Sequence, residues 1–278
     1  MHHANHFYGH AAIMARWAGL SEAPAIRGYL QHGWNLHDGF AVGTAFAPGY
    51  PKFVWTEVVA RRARAAGLNH VEVVSSPWHY LLLQEPEPES DQEESDTTRE
   101  GTIVYPFHGW EGQLIQGSHD AYARELRETE GDAPITMCLY WNDFEHAPTR
   151  EIYERHGFRV ISHGRRGFMG VGHDTEFLYR QLGELRRHRR VVSNRLGSAL
   201  FYGASVGAEI GVYGDPMVLG NDHAVLGGMA KQLRLFPELH QLAVPREVAE
   251  RAAREELGLD ITLSPAEVRE TFGWVDED

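Results

Sequence analysis

From residue 101 onward the chain alternates short apolar runs with amphipathic stretches. GTIVYPF (101–107) reads as a buried strand, followed by a helical pattern around 120–129. PITMCLYW (134–141) is a second strand with a helix around 149–156, and FRVISHG (158–164) a third with a helix around 176–188. RRVVSN (189–194) is a fourth, leading into the short apolar helix GSALFYGASVG (197–207), and EIGVYG (209–214) is a fifth. Apolar runs of strand length separated by helical stretches predict a parallel sheet with right-handed crossovers. The last part, VPREVAERAAREELG and SPAEVRETFGW, reads as two helices with proline in the first turn, the second capped by Ser264 ahead of Pro265.

The front of the chain has sparser α/β text. A His-rich helical start precedes strands near 25–31, 52–55 and 70–74, with a helix over 57–66. Between front and back lies QEPEPESDQEESDTTRE (84–100), which has almost nothing to bury and reads as a solvated linker. The expected fold class is therefore α/β, with two Rossmann-like halves. These are a reduced acceptor-side half (1–83), the acidic linker (84–100), a nucleotide-binding half (101–243) and a helical tail (244–278).

Composition narrows the function. The 278 residues are 42% hydrophobic and 23% charged, an ordinary globular balance, with a formal net charge of −13. A nucleic-acid partner held through phosphates is not expected on such a chain. An anionic substrate would have to be met by local cations or backbone donors. A single cysteine, Cys138, excludes an intrachain disulfide framework and a CxxC zinc site. The start MHHANHFYGH lacks the pattern of a signal peptide, and no run approaches the ~18 apolar residues of a membrane span, so a cytoplasmic location is expected.

In parallel α/β sheets ligands gather where strands end and helices begin. The fourth strand runs through Ser193, Asn194, Gly197 and Ser198 into a helix, and first-turn N–H groups with the helix dipole suit a diphosphate there. His108 follows the first back-half strand beside a glycine, placed to donate to phosphate or to titrate. Arg165 and Arg166 follow the third strand and offer planar donors to phosphate, or else a solvated pair. His32, in Gln31-His32-Gly33-Trp34, is a candidate base for an acceptor hydroxyl, with Asp38 to orient it. The early histidines His2, His3, His6 and His10 include i,i+4 spacing, but no HExxH accompanies them, so no metal is expected.

These pieces in order, HGW, KFVWTEVVARRARAAG, VVSSPWHYL, YPFHGWEG, YWNDF, SHGRRG, FLYRQL and SNRLGSALFYGASVGAEIGVYGDP, resemble the bacterial surface-polysaccharide glycosyltransferases. Within that group the likeness is to capsule-biosynthesis and polysialyltransferase-like proteins and to CDP-glycerol glycerophosphotransferases. It covers most of residues 25–216. The resemblance implies the GT-B arrangement, two Rossmann-like domains with the active site between them and no metal-binding DxD. It implies His32 as catalytic base, His108 as a donor-diphosphate ligand, and the turn at Ser193, Asn194, Gly197 and Ser198 as the phosphate cradle. The implied function is metal-independent transfer from a nucleotide-activated sugar or polyol donor, a nucleotide diphosphate or a CMP-linked one, to a hydroxyl acceptor in surface-polysaccharide or natural-product glycan assembly, without a cofactor. The front half is shorter than those families' acceptor domains, so a second copy of the chain in a homodimer is a candidate partner. Two alternatives stand beside this: a sugar-nucleotide epimerase or hydrolase on the same fold, and a non-catalytic paralogue that binds a nucleotide or a partner.

Overall fold

A computed structural model describes residues 2–41, 43–87, 99–109, 115–167, 172–220 and 228–274. The chain forms two compact units, Met1–Pro88 with Arg165–Tyr179 and Ala252–Asp278, and Glu89–Gly164 with Arg180–Arg251. Both are α/β with parallel sheets, the expected class.

The first unit opens with a 3-10 segment (His3–Gly9) and helix α1 (His10–Trp17), then β1 (Tyr29–Leu30), β2 (Lys52–Val54), α2 (Glu57–Ala65), β3 (Val71–Val73) and α3 (Pro77–Gln84). Its three strands pair in parallel in the order β1-β2-β3. Thr56 caps α2 by accepting from the Val59 N–H, and Val59, Ala60 and Ala63 on the buried face of α2 pack on Val54 and Val71. The strand expected over 25–31 shrinks to two residues.

The His-rich start is not one α-helix. Phe7 (φ −56°, ψ 137°) and Tyr8 (φ 57°, ψ 16°) break it, and α1 starts only at His10. The i,i+4 spacing of His6 and His10 therefore falls across a kink. The His6 ring stacks on His173 at 4.9 Å, while His10 is buried. Helix α3 was not expected, although Ser76 caps it by accepting from the His79 N–H and Pro77 lies in its first turn.

The second unit contains β4 (Thr102–Val104), β5 (Ile115–Gln116), α4 (His119–Glu130), β6 (Ile135–Cys138), α5 (Trp141–Glu145), α6 (Ala147–Arg155), β7 (Arg159–Ile161), α7 (Phe177–Arg187, shared with the first unit), β8 (Arg190–Ser193), α8 (Ser198–Ser205), β9 (Glu209–Val212), β10 (Val218–Leu219) and α9 (Gly228–Leu235). Five strands form one all-parallel sheet in the order β7-β6-β4-β8-β9. Counted along the chain that is 3-2-1-4-5, the Rossmann order, with its switch point between β4 and β8. Val104, Met137 and Val192 from the three central strands pack with Tyr122 and Leu126 of α4 and Tyr153 of α6. Gly203 brings α8 directly onto β8, since a Cβ there would lie 2.6 Å from Val191 Cγ2. β5 and β10 form a separate antiparallel pair that no sequence pattern announced.

Two further helices close the chain, α10 (Arg246–Leu257) and α11 (Pro265–Phe272), the latter with the full capping box of Ser264 and Glu267. The expected helical tail exists, but from Ala252 it is built into the first unit. Trp34 Nε1 donates to Glu256 Oε2 (2.6 Å), Ser75 Oγ donates to the Gly258 carbonyl (2.8 Å), and the Phe53 and Phe272 rings meet at 4.9 Å. Residues Arg165–Tyr179 also join that unit: the Tyr8 N–H donates to the Arg166 carbonyl (3.0 Å). The linear division into 1–83, 101–243 and a tail is thus replaced by interleaved segments.

The ends of the acidic segment 84–100 are anchored rather than solvated. The Gln84 amide donates to the Tyr80 carbonyl (2.9 Å), and Arg99 is buried with Nη1 on the Val206 carbonyl (2.6 Å). Residues 88–98 of that segment lie outside the described residues, as do Trp110 to 114 and the final Asp276, Glu277 and Asp278. Among the described residues no helix is long and apolar enough to cross a membrane.

Candidate functional site

The switch point puts two loops side by side at the carboxyl edge of the larger sheet, Tyr105 to Gly109 after β4 and Asn194 to Gly197 after β8. One side chain joins them. The Phe107 N–H donates to Asn194 Oδ1 at 2.6 Å, and Asn194 Nδ2 donates to the Asp215 carbonyl at 2.7 Å, so the loop after β9 is tied in as well. Arg195 reinforces the knot. Its guanidinium lies 3.8 Å from the Phe107 ring centroid and donates to the Pro216 and Met217 carbonyls.

Ser193 and Asn194, expected as donors to a phosphate, take part in this knot. Both are buried, and their polar atoms serve the turn itself: Ser193 Oγ accepts from the Arg195 N–H at 3.2 Å. They shape the turn rather than reach into solvent. Arg195 is the third member of the same device. The strand order made its role visible, and no local pattern in the sequence could have done so.

What the turn presents is the start of α8. Its N-cap is Gly197, which has no side chain to cap the first-turn N–H groups, and the space where a Gly197 Cβ would stand is open. Uncapped first-turn donors at the positive end of a helix dipole are suited to an anion. Ser198, partly exposed, opens the helix.

His108 lies on the same edge. Its ring stacks flat on Tyr140, which follows β6, with centroids 4.3 Å apart and planes within 12°. Nδ1 donates to the Gly109 carbonyl at 2.7 Å. That bond fixes the neutral tautomer with Nε2 as acceptor, so a bond from Nε2 to a phosphate oxygen requires the imidazolium form. Next along the edge, Tyr105 Oη lies 2.9 Å from His163 Nε2. Burial, then Arg180 and Arg159, pushes the His163 pKa down to about 3, and burial holds the Tyr105 hydroxyl well above its usual range, so both groups are neutral. Asp143, in α5, is pushed up to about 6 by burial.

The remaining candidates lie in the first unit. His32 follows β1, and its Nδ1 is 3.3 Å from the Gly39 carbonyl. Burial and then the Arg166 guanidinium push its pKa down to about 4. Asp38 does not orient His32 as expected. Its Oδ1 accepts from the Phe40 N–H (2.9 Å) and its Oδ2 stands 3.9 Å from His37 Nε2, leaving the Gly39 carbonyl as the acceptor beside His32. Arg166 also sits 4.5 Å over the Phe7 ring, and Arg165 is exposed. The structure therefore groups His108, Ser193, Asn194, Gly197 and Ser198 in one unit, and groups Arg166 with His32 in the other. Among the described residues no cluster of three or more His, Cys, Asp or Glu side chains is placed to hold a metal ion.

No protein-family model matches the chain, and no curated protein does. Solved structures with partial likeness include the S. aureus MnaA–UDP co-structure (11% identity, TM-score 0.39, covering 79% of this chain and 57% of that one). A UDP-GlcNAc 2-epimerase from Neisseria meningitidis bound to UDP-GlcNAc matches at 13% identity and TM-score 0.36, over 80% of this chain and 60% of that one. Os79 from O. sativa in complex with UDP matches at 12% and 0.38, over 76% and 46%. The chain spans roughly half the length of these structures, and TM-scores this low assign it no activity.

Proposed function

We propose that the chain is a nucleotide-sugar enzyme of the GT-B type, and specifically a glycosyltransferase or glycerophosphotransferase-like enzyme that takes a nucleotide-activated donor. One observation carries the reading. At the switch point of a sheet in Rossmann order, a knot of Asn194, Phe107 and Arg195 holds the loop that leads into α8, whose N-cap Gly197 brings no side-chain cap, on the same sheet edge as His108.

On this reading the diphosphate of the donor rests on the first-turn N–H groups of α8 and on the His108 imidazolium. These donors are fixed before the reaction, so charge that develops on the departing phosphate meets them without reorganisation, and a single such donor is worth on the order of 3 kcal/mol. Tyr140, which backs His108, would wall the base or sugar. His32 is neutral at physiological pH and can accept the proton of an acceptor hydroxyl, a contribution of roughly 10²- to 10⁴-fold.

A thermal-shift screen of the full chain against UDP, CDP, CMP and GDP tests the donor class. The expected result is stabilisation by at least one of them, and no shift with any of the four removes the reading. Incubation of the stabilising nucleotide's sugar or glycerol conjugate with hydroxyl acceptors then separates transfer from epimerisation or simple hydrolysis, by whether a new glycoside or glycerophosphoryl product appears.

A further inference from the structure

The opposite edge of the same sheet, where β8 and β9 begin and α8 ends, holds a cavity of about 540 Å³. Its charged lining is three arginines, Arg99, Arg189 and Arg246, and two glutamates, Glu209 and Glu250. Arg246 Nη2 and Arg99 Nη1 approach the same point, 3.5 and 3.9 Å from where a Gly207 Cβ would stand. Arg99 is buried in spite of its charge and is held by the Val206 carbonyl, which closes the negative end of α8. Arg189 and Arg246 are paired with Glu209 (3.1 Å to each oxygen) and Glu250 (2.7 Å), both on exposed surface where such pairs bind weakly and exchange readily. The first turn of the 12-residue helix α10, which starts at Arg246, adds a positive dipole end. The walls between the charges are small and apolar, from Ala204, Ala208, Ile210 and Val244.

Like charges converging on one cavity wall are stabilised by an anion between them, and guanidinium groups bind oxyanions through paired donors. The volume is within the range of metabolite pockets. We propose that this cavity is a second binding site, distinct from the candidate donor site, for an oxyanion-bearing metabolite of nucleotide size. Its phosphate or carboxylate engages Arg99 and Arg246 at the start of α10, and its body lies on the apolar wall.

The test is calorimetric titration of the full chain with AMP and with citrate, carried out in a Ser198→Asp background so that an anion at the start of α8 is repelled. Binding of either probe that falls at least tenfold in Arg246→Glu sustains the site, and the probe that binds separates a phosphate ligand from a carboxylate one. Ala243→Trp, at the exposed mouth of the cavity, is expected to cause the same loss, and it keeps the test decisive if Arg246→Glu fails to fold by circular dichroism. Failure of both probes to bind, or affinity unchanged in the folded variants, overturns the proposal. Neither outcome bears on the donor site, which is read separately with Ser198 intact.

Discussion

Asn194 receives the Phe107 N–H at 2.6 Å and donates to the Asp215 carbonyl at 2.7 Å, so one buried amide holds three loop segments at the carboxyl edge of the sheet. Its two ends have opposite polarity, and that makes it testable. Asn194→Ala leaves a buried donor and a buried acceptor unmet and is expected to cost about 2–4 kcal/mol. Asn194→Asp keeps the bond from Phe107 but sets a carboxylate against the Asp215 carbonyl. Urea unfolding is expected to show both variants destabilised, with nucleotide affinity reduced in whatever fraction remains folded. An unchanged midpoint for Asn194→Ala would contradict the knot.

The His108 ring stacks flat on Tyr140 and its Nδ1 donates to the Gly109 carbonyl, which holds the imidazole at the edge of the sheet. His108→Ala is expected to weaken nucleotide binding by tenfold or more, with a thermal midpoint within a few degrees of wild type. Equal affinity in calorimetry removes His108 from the donor site.

His32→Ala is expected to leave nucleotide affinity intact and abolish product formation. With a pKa near 4, His32 keeps its basic form down to that value, so the acid limb of kcat/KM is expected near pH 4. Burial is the larger cause of the depression and Arg166 the second, and taking away a neighbouring positive charge favours protonation. Arg166→Ala is therefore expected to move the acid limb upward. A limb that stays in place would separate the two residues.

Acid lability follows from His10. Burial, with His32 nearby, pushes its pKa down to about 3, against 6.5 when unfolded. Its contribution is present above pH 6.5 and is lost progressively as pH falls toward 3, about 2 kcal/mol between pH 7 and pH 5. His10→Leu is expected to lessen the drop in urea midpoint over that interval. Asp143 works in the opposite sense. Pushed up to about 6, it favours the fold below pH 3.8 and loses that contribution as pH rises through 6, so Asp143→Asn is expected to gain stability at pH 8 relative to pH 4.

Gly203 tests whether the seating of α8 matters to binding. A methyl there would fall 2.6 Å from Val191 Cγ2 in a packed layer, and Gly203→Ala is expected to cost about 1–3 kcal/mol and to displace the start of the helix. Reduced stability with unchanged nucleotide affinity would show that the first turn does not need this seating.

The five strands of the larger sheet were legible because each run is short and bracketed by amphipathic text, and the three central ones, β6, β4 and β8, are buried along their whole length. The candidate turn was legible for the same reason: Gly197 and Ser198 lie where a buried strand must give way to a helix. Other features depend on distant partners and left no local trace. Asn194 could be seen as a donor near the site, but its commitment to Phe107 and Asp215 follows only from the order in which the strands assemble. Asp38 looked placed to orient His32 by spacing alone, until the loop turned it toward Phe40 and His37. Arg165 and Arg166 follow the third strand in sequence, yet the chain carries them to the other unit. The two-residue strands Ile115–Gln116 and Val218–Leu219 are too short to carry a period at all. Ser76 and Pro77, a capping serine ahead of a first-turn proline, are the local signal of α3.

The interleaving of the two units constrains how the molecule can be made. Trp34 and Ser75 find their partners at Glu256 and Gly258, so during synthesis the amino-terminal three-stranded sheet waits, unfinished, until residues 256–258 have left the ribosome. The five-stranded sheet also draws on later chain, the Val212 N–H donating to the Gln241 carbonyl (2.8 Å) and the Val244 N–H to the Ile210 carbonyl (3.0 Å). A fragment cut near residue 88 would be an incomplete fold rather than a miniature one, and swapping this front piece onto a relative would sever pairings written far downstream.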